Sequence, residues 1–178
     1  IQVMPRKLKN SELIRKTDEE FKASQKTPLI LILDNIRSLN NIGSVFRTAD
    51  AFLVKKIFLC GITATPPHKD IQKTALGATQ SVEWSYREST LELMDELKEE
   101  GVHILSIEQA ENSIDLKQFH PDQHKVYAFV FGNEVKGVQQ AVVDASDAVL
   151  EIPQFGTKHS LNISVAAGVC IWDFVSKI

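Results

Sequence analysis

Short, densely apolar runs alternate along the chain with stretches whose apolar side chains recur every three or four positions. The first dense run, LILIL within 29–34, is apolar on both faces. So uniform a strand belongs inside a sheet covered on both sides. Similar runs predict strands at 56–60, 82–86, 102–107, 125–131 and 148–152. Between them, 42–52 puts Val45, Phe46 and Ala49 on one helical face, 71–76 and 138–145 read as short helices, and 90–100 is amphipathic and stopped by Gly101. A last helix, apolar nearly all round, begins at about Leu161, and an early helical spacing at 11–24 precedes Pro28. Strands alternating with helices predict an α/β fold, a mostly parallel sheet flanked by helices. No internal repeat or linker divides 28–178, so the expected organisation is a helical arm, 1–27, followed by one domain, 28–178.

Composition adds limits to that picture. At 178 residues the chain can bury a core without disulfides or a structural metal. No uncharged apolar run approaches the roughly 18 residues of a membrane span, and the opening IQVMPRKLKN lacks the apolar stretch of a secretion signal. A soluble, cytoplasmic protein is expected. Cys60 and Cys170 lie far apart and read as buried thiols. The five histidines, His68, His103, His120, His124 and His159, show no zinc-binding spacing, so no metal is expected. Net charge is −3, yet 1–26 carries seven Lys/Arg against four Asp/Glu, while the rest carries 13 against 19. The arm is therefore basic, and reads either as an RNA-facing segment or as a solvated amphipathic helix packing Leu13, Ile14 and Phe21 on the body.

In open parallel sheets ligands gather at the carboxyl ends of strands, which directs attention to the loops that follow them. Three are unusual. DNIRSLNNIGSVFRTADAF (34–52) sets Asn41, Gly43 and Arg47 at the start of a helix; FGNEVKGV (131–138) flanks Glu134 and Lys136 with glycines; IPQFGTKHSLNISVA (152–166) opens an apolar helix on a polar cluster. None is a dinucleotide fingerprint or a P-loop, since Val138 stands where the P-loop lysine would be. No G-x-S-x-G elbow surrounds any serine.

Taken in order, N-x-G-x-x-x-R-T at 41–48, F-G-x-E-x-x-G at 131–137 and I-P-x-x-G-x-x-x-S-L-N-x-S-V-A at 152–166 resemble the SpoU (TrmH) branch of the SPOUT RNA methyltransferases. The resemblance spans roughly Pro28 to the C-terminus. It implies a SPOUT-type α/β knot with a C-terminal deep trefoil. It also implies transfer of the S-adenosylmethionine methyl to a ribose 2′-hydroxyl of tRNA or rRNA, by a homodimer and without metal. Periodicity alone would never suggest a knot, because knots are nearly absent from proteins.

The resemblance assigns Arg47 to the reacting ribose and its phosphate, a task that suits a permanently charged planar fork. Asn41 and Asn162 can each donate and accept. Glu134 would orient Arg47 or balance the sulfonium charge. Ser160 reads jointly as the helix N-cap and as a ligand contact. Phe131, Gly132, Asn133, Glu134, Ile152, Gln154, Gly156, Ser160 and Leu161 would hold the cofactor, with Ile152 and Leu161 flanking its base and Gly132 and Gly156 admitting the backbone to the adenosine. The proton of the hydroxyl could pass to Arg47, to His159 or to a phosphate. Two positions depart from the family pattern: Gln154-Phe155 stand where Met is usual after Ile-Pro, and Val135 replaces a second Gly after the Glu. Both bear on the pocket wall and on substrate choice. Two other readings of the same residues remain open, a non-catalytic RNA-binding module and a small-molecule methyltransferase on the same scaffold.

Overall fold

The computed structural model describes residues 4–178, so the first three residues of the expected arm lie outside the described residues. In chain order the strands are β1 (Thr27–Asp34), β2 (Val54–Cys60), β3 (Trp84–Arg87), β4 (His103–Ile107), β5 (Ile114–Asp115), β6 (Tyr127–Phe131) and β7 (Ala148–Glu151). The helices are α1 (Asp18–Ala23), α2 (Leu39–Ala51), α3 (Lys69–Ala75), α4 (Ala78–Ser81), α5 (Thr90–Glu99), α6 (Gln140–Ala145) and α7 (Ile163–Lys177). The strands form one sheet in the order β3-β2-β1-β6-β4-β7-β5, and every pair is parallel. That order fits the knot implied by the motifs.

Side-chain alternation along the central strands explains why both faces are covered. Leu29, Leu31, Leu33 and Phe129 face α2 and α7, packing on Val45, Phe46, Cys170 and Phe174. Ile30, Ile32, Ala128 and Val130 face the other way, onto Leu93, Met94 and Leu97 of α5 and Val142 of α6. The Phe129 and Phe174 rings meet edge to face at 5.7 Å, an arrangement aromatic quadrupoles favour. Both cysteines are fully buried, and burial pushes the Cys60 thiol up to about 12, where it stays neutral.

The chain runs outward from β1 through β2 to β3, then crosses to the far side of β6. The sheet therefore changes direction between β1 and β6, and the crevice beyond their carboxyl ends is where such sheets take ligands. Beside the sheet, Gly43 of α2 packs against α3. A Cβ on it would overlap Thr74 and the Ile71 carbonyl, so glycine lets α2 and α3 touch.

One expected element is corrected. The stretch 11–24 is not a single helix but a 3-10 turn at Asn10–Glu12 and then α1. Thr17 accepts from the Glu20 amide at 3.2 Å while the Glu20 carboxylate accepts from the Thr17 amide at 2.8 Å, so a capping box starts a new helix at this point. Of the three apolar anchors only Phe21 is buried; Ile14 is 96% exposed. The two-residue β5 and four-residue α4 were too short for periodicity to register.

Among the described residues no helix is long and apolar enough to cross a membrane, and no group of three His, Cys, Asp or Glu side chains gathers as a metal site.

Candidate active site

The FGNEVKG loop after β6 owes its shape to Asn133. Its backbone pairs with Gly137 in both directions, at 3.0 and 2.8 Å, and its side-chain oxygen accepts from the amides of Val135 and Lys136, each at 3.0 Å. Asn133 also donates through Nδ2 to the Asn35 carbonyl at 2.8 Å, tying this loop to the one that follows β1. Across the loop, Glu108 accepts from the Val138 amide at 3.0 Å and from the Gln109 amide at 2.8 Å. The turn is thus closed from within and pinned from both sides, with Glu134 at its tip.

Glu134 reaches to the start of α2. One carboxylate oxygen accepts from the Arg37 amide at 2.9 Å; the other accepts from the Ser38 amide at 2.9 Å and from Asn41 Nδ2 at 3.2 Å. Burial pulls the Glu134 carboxyl upward, but these donors outweigh it and hold the group below the usual carboxylate range. Asn41 Oδ1 in turn accepts from Asn162 Nδ2 at 3.2 Å, and Asn162 Oδ1 accepts from the Ser164 amide at 2.9 Å. One continuous polar chain therefore joins the loop after β6, the start of α2 and the start of α7.

A depressed carboxyl implies a pH signature. Its stabilising contribution is complete above the ordinary glutamate value of about 4.3 and is lost as pH falls through the lowered folded value. The melting temperature of the parent is expected to fall more steeply between about pH 5 and pH 3 than that of Glu134→Gln. Parallel acid limbs for the two proteins would dismiss the clamp.

Beside this chain opens a cavity of about 980 Å³, walled by the loops after β4, β6 and β7. That is the size of a small-molecule site. Of the residues expected to hold a cofactor, Phe131, Gly132, Asn133, Glu134, Ile152, Gln154, Ser160 and Leu161 line it, as do His159 and Asn162. Gly156 does not: it stands exposed on the loop outside, with nothing within 4 Å of where a Cβ would project. Four carboxylates, Glu108, Glu111, Glu134 and Asp144, share the lining with one lysine, Lys136.

Three further expectations are revised. The N-cap of α7 is Asn162 rather than Ser160, because its side chain accepts from the Ser164 amide two residues on; Ser160 makes no hydrogen bond among the described residues and stands exposed in the cavity wall. Within one chain Glu134 makes no hydrogen bond or ion pair with Arg47 among the described residues; its carboxylate accepts from the start of α2. Arg47 itself lies six residues beyond Asn41 on α2, which on a regular helix means about 9 Å along the axis and about 120° around it. It is exposed, makes no hydrogen bond or ion pair among the described residues, and lies outside the cavity lining. Within one chain, then, Asn41, Glu134, Ser160 and Asn162 come together and Arg47 does not.

The third wall, 108–112 after β4, escaped the sequence reading. The rule that favours strand-end loops would have marked it, since EQAEN follows the buried run ending at Ile107 and carries two carboxylates and two amides. Gln109 Nε2 donates to the His159 carbonyl at 2.6 Å, so this wall also holds the loop after β7 in place.

Residues 28–172 match the model of the SpoU rRNA Methylase family. The chain is 33% identical over 144 residues to the 23S rRNA (guanosine-2′-O-)-methyltransferase RlmB of Neisseria meningitidis serogroup B, an alignment covering 81% of this chain and 56% of that protein. It is 31% identical over 161 residues to RlmB of Bordetella pertussis, covering 90% and 64%. These alignments span from a little over half to just under two thirds of the relatives' length. Among solved structures, the A. aeolicus TrmH/SpoU tRNA modifying enzyme superposes with a TM-score of 0.78 at 26% identity, over 90% of this chain and 79% of that one. The SpoU methyltransferase AviRb of Streptomyces viridochromogenes, solved with AdoMet, shares the fold with a TM-score of 0.77 at 23% identity, over 87% and 62%.

Proposed function

The chain belongs to the SpoU rRNA methylase family, and from that premise we propose that it transfers the methyl group of S-adenosylmethionine to a ribose 2′-hydroxyl of RNA. The observation that carries this reading is the convergence of three motifs, distant in sequence, on one cavity, joined by the Glu134–Asn41–Asn162 chain.

The cavity suits the donor chemically. Its carboxylates complement a sulfonium and an amino group, while Phe131, Ile152, Leu161 and Ile163 offer apolar surface to a purine. S-adenosylmethionine, when bound, supplies an electrophilic methyl; the work left to the protein is alignment and removal of a proton. Alignment alone can lower a barrier by about 7 to 11 kcal/mol in favourable cases. The Glu134–Asn41–Asn162 chain fixes the relative positions of three elements around the cavity mouth and so keeps that alignment rigid. Ser160 offers its hydroxyl to ligand, and the proton goes to Arg47, to a phosphate or to His159, which stands in the same wall. Arg47 takes the ribose phosphate, as a point of attachment that stays charged.

Arg47 reaches that phosphate from a second copy of the chain. On α7 the apolar side chains Val165 (52% exposed), Val169 (39%) and Trp172 (59%) recur at helical spacing and form one outward stripe. Such a stripe suits a two-fold interface with itself, and α7 packs on α2, the helix that carries Arg47. Target recognition then falls to the dimer surface and to the exposed cations Arg6, Lys7, Lys9, Arg15 and Lys16 of the arm. Both ribosomal and transfer RNA are substrates to test.

Calorimetry with S-adenosylmethionine and mapping of 2′-O-methyl sites in total RNA, with and without the protein, test the reading together. Cofactor binding and at least one protein-dependent methyl mark are expected. A chain that binds the cofactor and RNA but leaves no mark would be a binding module instead, and one that binds no cofactor would defeat the enzyme reading.

A further inference from the structure

Of the residues at which this chain departs from its family pattern, Gln154-Phe155 and Val135, two are bare to solvent on loops that build the cavity, Val135 and Phe155. Val135 is 75% exposed at the tip of the loop after β6, and Phe155 is 96% exposed on the loop after β7, next to Gln154 of the cavity wall. Phe155 is not part of the cavity lining. Its neighbours in sequence are small, polar or cationic: Gly156, Thr157, Lys158 and His159. An isolated ring in that setting is unlike the continuous apolar stripe of α7.

Exposed cations stand on its own loop and on the neighbouring ones, beside the carboxylates of the cavity wall. Arg37 and Lys136 are exposed on the two adjoining loops and Lys158 on its own. Two of the wall's carboxylates are turned to backbone amides, Glu134 to those that open α2 and Glu108 to those of Gln109 and Val138. An exposed aromatic face on a loop that carries Lys158, with Lys136 and Arg37 exposed on the loops after β6 and β1, complements a nucleic-acid strand, whose phosphates meet cations and whose bases have a face to stack.

We propose that Phe155 is the stacking platform for a base of the RNA strand at the cavity mouth. This inference rests on the methyltransferase reading above. To bring a ribose hydroxyl into line with a donor held inside a cavity, the nucleotide must leave its own stack, and the base attached to that ribose loses its neighbours. The loop after β7 walls the donor cavity and carries the ring, so the base can regain a stacking partner without leaving the site. The backbone there is anchored through the Gln109 bond to the His159 carbonyl, four residues from the ring.

Methyl transfer from tritiated S-adenosylmethionine to total RNA, measured with the full chain and its Phe155→Ala, Phe155→Leu and Phe155→Trp variants, tests the assignment. Phe155→Ala is expected to raise the KM for RNA roughly 5- to 100-fold, the span that stacking of one base is worth. Cofactor affinity by calorimetry and dimer mass by light scattering are expected to stay as in the parent. Phe155→Trp should return KM to within about twofold, because any flat ring serves, whereas Phe155→Leu should not. An unchanged KM in Phe155→Ala, equal rescue by Leu and Trp, or dissociation of the dimer would each overturn the platform. No transfer by the unaltered chain would sink the methyltransferase reading itself, and the platform with it.

Discussion

Arg47→Ala is expected to lower kcat for RNA methylation by a factor on the order of 10² to 10³, the usual cost of removing one charged group from a transition-state cradle. The affinity for S-adenosylmethionine should stay within about twofold, since Arg47 lies outside the cavity lining. Stability should stay within about 0.5 kcal/mol, because the side chain is exposed and makes no hydrogen bond or ion pair among the described residues. These three outcomes together are informative because the residue has no structural work that could explain a loss of rate. Arg47→Lys should recover part of the rate at most, keeping the charge but losing the planar fork. Full turnover in Arg47→Ala, measured under single-turnover conditions, would remove this residue from the mechanism.

How far the site could be read in advance depended on whether a residue's work was local. The strands were legible because a run such as LILIL can be buried on both faces only in the middle of a sheet, and β1 lies there between β2 and β6. The capping of α7 was half legible: a polar cluster at the start of an apolar helix pointed to a cap, yet Ser160 and Asn162 are both good caps by type. The choice between them follows from where the chain turns. Glu134 shows the same limit. Its place between two glycines marked it, but its partners are backbone amides of Arg37 and Ser38, which no sequence pattern records. For 11–24 the local signals disagreed, helical spacing against a capping box at Thr17, and the box won because so exposed a segment has little packing to overrule it. Asn133 combined both cases. The resemblance marked it as a cofactor contact, and only the closed turn explains why both ends of its side chain are in use.

Gly132→Ala tests the closed turn directly. A Cβ at this position would overlap the backbone of Gly137 and Val138, which cannot rotate away as a side-chain tip could. The paired amides of Asn133 and Gly137 must part, and with them goes the wall that Glu134 and Glu108 pin from either side. Overpacking of this kind costs about 1 to 3 kcal/mol, or roughly 3 to 10 °C in Tm for a domain of this size. The larger effect falls on the ligand, with affinity for S-adenosylmethionine expected to drop at least about 100-fold in calorimetry, since the cavity loses its shape rather than one contact. Gly156→Ala is the matched control: a Cβ there meets nothing within 4 Å, and parental binding is expected. Equal binding by both variants would show that the turn does not form the donor site. The same variant also decides where Arg47 acts. If a partner subunit supplies it, an equal mixture of Arg47→Ala and Gly132→Ala chains places both lesions in one site of each mixed dimer and leaves the other site whole. About a quarter of parental activity then returns from two inactive proteins. If Arg47 serves its own cavity, every site in the mixture carries one lesion and none returns.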